Sequence, residues 1–563
     1  LVILNTDAIE VSFLVLLAPA VAWGWISRKS PLRRSRIEHA FTSFATKRHL
    51  AVLSVGLLAL ALRLALLPLH PVPQPGIVDE FSYLLAADTF ASGRLSNPPH
   101  PFWVSFENLM ILSQPTYASK YPPAQGLALA LGIVLAGNAW VGVLLSTAAM
   151  CSAIVWMLQA WIPPRWALLG GLLAMARIAV GSYWVDSYWG GAVAATGGAL
   201  LYGALPRLIA RGRARDGLLL GIGLAVLANS RPYEGLLAAT PAAITIGVWA
   251  FRKGRPSLRP LLLVLLPLVV AALAALRYNA AITGNPLAMP YQLHEAQYSA
   301  APLFWFQKIK PEPVYRHPVM KAFQTGWARQ QYLDNFTHGL LRASLLKLDA
   351  LRCFFFGALL TVCLVALPWA LRSKRLRLAF FSLGFVLAGM LLEIAVVPHY
   401  AAPVTGIFYL LVIQCLRQVR ACGRIGLAVG RAIPVVLAGT LLALYSLEAA
   451  GKPLLHEPYS WCFPRPGNLA RARILDQLHH SEGRHLILVR YDPNFMGRHE
   501  EWVYNRADID SAKVIWAWEM DPEHDSSLIR YFHSRHVWRL ESDVPHPELQ
   551  PYSAKIAAPT VRP

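Results

Sequence analysis

The sequence predicts an α-helical polytopic membrane protein of about 12 transmembrane helices, carrying a small C-terminal α/β extracytoplasmic domain. Three observations predict it: repeated apolar runs, basic connections that alternate between those runs, and a polar tail with mixed helix and strand patterns. The chain has 563 residues, 55% of them hydrophobic and only 15% charged, with a mean hydropathy of +0.42. A water-soluble enzyme does not have this balance. The net charge of +21 alone would suit a nucleic-acid partner. The Lys and Arg residues lie between apolar runs rather than on one soluble face, so the membrane accounts for them and nucleic acid does not.

Apolar runs of helical length cover 9–26, 50–69, 139–161, 166–182, 192–210, 216–230, 234–251, 260–276, 352–371, 378–397, 403–416 and 432–449. Several fall short of the ~20 residues that a free span needs, which marks helices enclosed by others. Arg28, Lys29, Arg33, Arg34, Arg36, Lys47 and Arg48 follow the first run. Arg165, Arg207–Arg215, Arg252–Arg259, Arg372–Arg377 and Arg417–Arg431 follow every second run after it. By the positive-inside rule these loops are cytoplasmic, and the remaining connections and both termini are extracytoplasmic. The first run has Asp7 and Glu10 ahead and basic residues behind. That is the reverse of a secretory signal, so a retained helix is expected. The shorter apolar stretch 126–137 is expected to be a partly inserted juxtamembrane helix. Counting it as a span would put the later basic loops outside.

Three regions result. Residues 1–49 form an extra N-terminal helix and a basic loop. Residues 50–451 form the transmembrane catalytic domain, with outer loops 70–138 and 277–351. Residues 452–563 form a soluble domain. In that domain 466–480 and 521–534 read as helices, and 484–491, 513–518 and 536–540 as strands. Asp492, His499, Glu500, Asp508 and Asp510 could line an acceptor or metal site there, although solvated loops are the better explanation, since surface Asp and Glu are the norm. Five of the six cysteines lie in or beside apolar runs, so no disulfide framework is expected. No CxxC or HExxH spacing indicates zinc.

The chemistry-bearing residues fall on the outer connections. Asp79 and Glu80 stand in Val78-Asp79-Glu80-Phe81-Ser82-Tyr83, at the head of a helix-like run. A helix N-terminus favours an ionised carboxylate, which suits a general base. Capping would also place an acid there. Lys120 precedes Tyr121-Pro122-Pro123. Its ammonium suits a phosphate, and snorkelling to a headgroup would place it there too. Asp186 sits among the aromatics of Ser182–Gly191, which fit an interface belt or a sugar. Arg231 suits phosphate or a pairing with Glu234. Arg177 lies inside an apolar run, where an arginine faces protein or a polar cavity. It is a second phosphate candidate. His399 is a weaker candidate. Loop 277–351 is aromatic, and 319–347 reads as an amphipathic helix on the membrane.

The acid pair Asp79-Glu80 after the first core run, the Lys120-Tyr-Pro-Pro entry and Asp186 in the next outer loop resemble, in order and on one face, the GT-C fold glycosyltransferases. The resemblance is to the protein O-mannosyltransferase, aminoarabinose transferase and RgtA/B/C/D-like branches. It covers 50–235 in motif order and extends to about 450 in topology. It implies inverting transfer of a hexosyl or pentosyl group from a polyprenyl-phosphate donor to a lipid, glycan or protein, at the outer face of a bacterial inner membrane. Asp79 would be the base with Glu80 beside it, and Lys120 would hold the donor phosphate. Asp186 would position the acceptor or an optional divalent cation (Mg or Mn). Tyr83, Tyr121, Glu234 and His399 complete the expected sugar and acceptor set; Arg231 and Arg177 join the phosphate set from topology and charge rather than from the resemblance. The competing reading is a multi-pass transporter of a lipid-linked or small polar substrate. It would place its binding residues on broken helices near the midplane.

Overall fold

The computed structural model describes residues 5–26, 36–253, 258–337, 339–452, 454–492 and 501–552. Arg28–Arg34 and Arg255 of the basic loops, and His499 and Glu500 of the tail, lie outside the described residues. The chain divides into two compact units: 1–72, 140–273 and 338–465 in one, and 73–139, 274–337 and 466–563 in the other.

The first unit is helical, and it makes the chain a multi-pass membrane protein. Among the described residues eight helices are long and apolar enough to cross a membrane, or nine if a bent pair counts as one span. Every expected run contains helix, but not every run is a full span, and 391–397 of the run 378–397 is not helical. Pro164–Ala174, continued by a π turn over Met175–Ala179, Ala214–Ala228 and Arg377–Met390 are short. Burial differs sharply between helices. Pro398–Ala421 is 94% buried, whereas Arg259–Thr283 is 11% buried, with Leu262, Leu265, Leu266, Val269, Val270 and Leu273 exposed. An apolar helix exposed all along one side has lipid as its natural solvent.

Several of the basic connections meet at one end of this unit. Arg420 and Arg431 both donate to Glu38, at 2.9 and 2.8 Å. Gln159 donates to the Arg48 carbonyl at 3.1 Å, and Arg375 to the Ala160 carbonyl at 3.3 Å. Connections from widely separated parts of the chain thus share one face, as the alternation of charge requires.

The expected span 352–371 is not a straight helix. Leu340–Phe355 and Gly357–Leu371 meet at 108°, with Gly357 at φ +58. Breaking a helix in an apolar setting orphans carbonyls on one side and N–H groups on the other. One buried ion pair serves members of both sets, and the Tyr409 hydroxyl donates to the Phe355 carbonyl at 3.1 Å. Arg177 donates to the carbonyls of Phe354 (2.9 Å) and Cys353. Glu10 accepts from the Leu359 N–H at 3.1 Å. The two side chains pair at 3.0 Å with no exposure of either, beneath the Trp461 ring, 3.6 Å from the guanidinium carbon. A Cβ at residue 357 would collide with both carboxylate oxygens of Glu10 and with Arg177, so the bend needs glycine for space as well as for φ.

The second unit joins both outer loops to the C-terminal region around shared cores, so 452–563 is not a domain apart. One core contains Leu85, Phe106, Ile111 and Tyr117 together with Leu486, Leu488, Ile515 and Leu528. The tail itself folds nearly as read. Helices Leu469–His480 and Pro522–Tyr531 accompany strands β3 (His485–Arg490), β4 (Val514–Trp518) and β5 (His536–Glu541). A further strand, β6 (Leu549–Pro551), carries no apolar alternation of its own. The order is β4-β3-β5-β6, with β3 parallel to both neighbours and β6 antiparallel to β5. Strands β1 (Ile111–Leu112) and β2 (Ala118–Ser119) form a separate hairpin ahead of Lys120. The helix Pro123–Ala136 exposes Leu127, Leu131, Val134 and Leu135, the apolar face expected of a juxtamembrane helix. The stretch 319–347 is not one amphipathic helix. It breaks before Leu340, with Gly339 at φ +83.

Candidate active site

The backbone leading into the Val78–Ala91 helix is pinned before any catalytic group appears. Glu501 N–H donates to the Gly76 carbonyl at 3.0 Å, and Asn468 N–H to the Pro75 carbonyl at 3.2 Å. Gly76 and Gly467 lie so close that a Cβ on either would strike the other segment's backbone. Glu80 then closes the helix start. Its Oε2 accepts from the N–H groups of Gly76 (2.9 Å) and Ile77 (3.0 Å), and the residue is 3% exposed. Glu80, the third helical residue, is thus the cap, placed where a carboxylate can reach back to orphan N–H groups. Asp79 is left to other work.

Asp79 accepts a short hydrogen bond from the Tyr121 phenol. Burial, then the Asp79 charge, pushes the Tyr121 phenol well above its ordinary range, so it stays protonated and remains the donor. Tyr121 stacks on Tyr83, with ring centroids 4.5 Å apart and 18° between planes. Its backbone carbonyl accepts from the Tyr278 hydroxyl at 3.0 Å. Lys120 is buried. Its ammonium lies 5.4 Å from the Tyr121 ring centroid and 4.8 Å from that of Tyr291. Asp79, Tyr83, Lys120 and Tyr121 therefore meet in one cluster, with Asp79 at the hydroxyl of Tyr121 and Lys120 near its ring.

The remaining expected residues lie in the helical unit. Asp186 is held by Arg63, whose Nε and Nη2 approach Oδ1 at 3.0 and 2.5 Å. Arg63 also donates to the His70 carbonyl at 2.9 Å and lies over the Trp140 ring at 4.7 Å. Asp186 Oδ2 is buried without a hydrogen-bond partner. Burial raises the Asp186 carboxyl to about 6, with the Arg63 charge opposing the rise. The folded value lies above the ordinary 3.8, so the folded state binds the proton more tightly than the unfolded chain. Stability from this group is complete below pH ~4 and is lost as pH rises through ~6. Thermal unfolding in detergent should show that slope, and Asp186→Asn should flatten it.

Arg231 pairs with Glu234 at 3.7 Å and lies over the Tyr400 ring at 4.6 Å. His399 Nδ1 is 3.0 Å from the Tyr183 hydroxyl, which also accepts from the His399 backbone N–H; this is packing between outer connections. Arg177 is not a phosphate ligand in this arrangement, because its guanidinium serves the broken helix. Among the described residues no three His, Cys, Asp or Glu side chains are grouped to hold a metal ion, and one Asp186 oxygen meets a guanidinium. In the tail, Asp508 accepts from the Ser511 N–H at 3.2 Å, and Asp510 contacts His100 and Tyr531 at 3.1 and 3.0 Å.

Sequence reasoning missed Arg63, Tyr291, His294, Glu295 and Lys310. Arg63 had a usable signal, since it stands inside the apolar run 50–69 just as Arg177 stands inside 166–182. The other four come from loop 277–351, and only contact marks them. Glu295 pairs with Lys120 and with Lys310, each at 3.7 Å.

No family model matches the chain, and no curated protein matches it. Among solved structures it is similar to ArnT from Cupriavidus metallidurans in the apo state, at 14% identity and a TM-score of 0.47, covering 86% of this chain and 92% of that one. It is similar to the same protein bound to undecaprenyl phosphate, at 14% identity and a TM-score of 0.47, covering 87% and 93%. It is also similar to the Archaeoglobus fulgidus oligosaccharyltransferase in complex with zinc and sulfate, at 11% identity and a TM-score of 0.40, covering 87% and 67%.

Proposed function

We propose that this chain is an integral-membrane inverting glycosyltransferase of the GT-C type. It moves a hexosyl or pentosyl group from a polyprenyl-phosphate donor to an extracytoplasmic lipid, glycan or protein acceptor, in a bacterial inner membrane. One observation carries the reading: a helix-start aspartate, held by a protonated phenol, stands one ring away from a buried lysine. Asp79 takes the proton of the acceptor hydroxyl as its oxygen attacks the anomeric carbon. The bond from that carbon to the phosphate oxygen breaks, and its electron pair leaves on the phosphate. Lys120 stabilises the charge that grows there. A lipid phosphate leaves without protonation of an ether-like oxygen, so one base suffices, unlike the acid and base pair of inverting glycosidases.

The test is to incubate purified protein with a panel of polyprenyl-phosphate sugars and measure released polyprenyl phosphate. Consumption of one donor is expected; if none is consumed and none binds, the proposal fails. Tyr121→Phe removes the hydrogen bond that aims Asp79, and such bonds to charged groups are worth about 1.5–3 kcal/mol. Turnover should fall by about tenfold or more, with donor KM nearly unchanged. A rise in KM with constant kcat would instead place Tyr121 on the substrate.

A further inference from the structure

The helix Pro290–Tyr298 brings an unexpected charge to the lysine. Glu295 lies 3.7 Å from Lys120 through Oε1 and 3.7 Å from Lys310 through Oε2. Both distances exceed those of charge-assisted hydrogen bonds, which run near 2.7–2.9 Å. The contacts are Coulombic and loose. Lys120 and Glu295 have little exposed side-chain surface, at 6% and 12%, whereas Lys310 is 40% exposed. The neighbouring His294 is buried, and burial together with the Lys120 charge drives its imidazole well below the ordinary range. It is neutral and adds no charge. Tyr291 supplies a ring face to Lys120. Lys120, Lys310 and Glu295 thus form one charge group, with Asp79 at the Tyr121 hydroxyl.

We infer that Glu295 is a resident counter-ion that an arriving donor phosphate displaces from Lys120 and Lys310, and that its charge then helps expel the product. The inference rests on the transfer reaction proposed above and makes Lys310 a second phosphate ligand. A sugar phosphodiester carries one negative charge. The polyprenyl phosphate that leaves is a monoester whose second ionisation lies near pH 6, so above neutrality it is a dianion. A fixed carboxylate beside the site opposes both anions and opposes the dianion more. Glu295 thereby matches the site to a monophosphate donor and hastens product release.

Glu295→Gln keeps the shape and removes the charge. Polyprenyl phosphate should bind about 5- to 10³-fold more tightly, the span for one charge about 4 Å away between bulk water and an effective dielectric constant near 20. Donor KM should fall by less, and kcat should fall as release slows. If Glu295 only orients Lys120, donor KM and the product inhibition constant rise instead, and the inference is overturned; unchanged constants overturn it too. Lys310→Gln is an independent arm, predicting weaker binding of polyprenyl phosphate, and a wild-type affinity in that variant also counts against the inference. Binding of polyprenyl phosphate to the wild-type protein separates the two levels. No binding there removes the proposed function itself, whereas binding with unresponsive variants removes only the role of Glu295.

Discussion

Asp79→Asn should lower turnover by about 10²–10⁴-fold, the range for loss of a positioned general base, while binding of polyprenyl phosphate stays intact. The substitution is close to isosteric. The amide oxygen still accepts from the Tyr121 phenol, so the stack of Tyr121 on Tyr83 and the placement of Lys120 survive. Only the capacity to take a proton is gone. Released polyprenyl phosphate measured against time gives turnover, and titration with polyprenyl phosphate gives binding. Turnover within about threefold of wild type, far short of that loss, would show that Asp79 is not the base. The companion variant Glu80→Gln separates the two acids. It weakens the cap on Gly76 and Ile77 and should act on stability, by about 0.5–2 kcal/mol, more than on the chemical step.

The division of labour between those acids shows where a sequence stops being legible. Asp79-Glu80 reads as a helix start because apolar spacing and Gly76 announce one. Which acid caps and which acts depends on whether residue 79 or 80 is third in the helix, and helix boundaries are uncertain by a residue or two. The apolar runs were legible because length and hydropathy are local properties. The 108° break at Gly357 was not, because its cause sits on two other helices, at Glu10 and Arg177. The tail's helices and strands were legible from their patterns, except β6. Its attachment to the outer loops was not, since Leu85 and Leu488 share a core across about 400 residues of chain, a distance that local periodicity cannot bridge. Lys120 stood out by its prolines. Glu295 and Lys310 had no flanking signal, and only the fold brings them to Lys120.

Glu10→Ala should destabilise the helical unit by about 3–5 kcal/mol, the cost of leaving a buried charge without its partner. Three losses combine. Arg177 keeps its charge in an apolar interior, the Leu359 N–H loses its acceptor, and the helix Gly357–Leu371 loses its only described carboxylate cap. Glu10→Gln keeps an oxygen for Leu359 but not the charge, so it should fall between Ala and wild type. Arg177→Lys should also destabilise. One ammonium cannot reach Glu10 and the carbonyls of Cys353 and Phe354 in the planar geometry that the guanidinium uses. Thermal unfolding in detergent, followed by helical circular dichroism, ranks these variants. The order wild type, Gln, Ala is the signature of a pair that holds a broken helix from both ends. Equal melting of all three would mean that the bend is fixed by Gly357 and packing alone, and that the buried charges in this unit serve something other than its architecture.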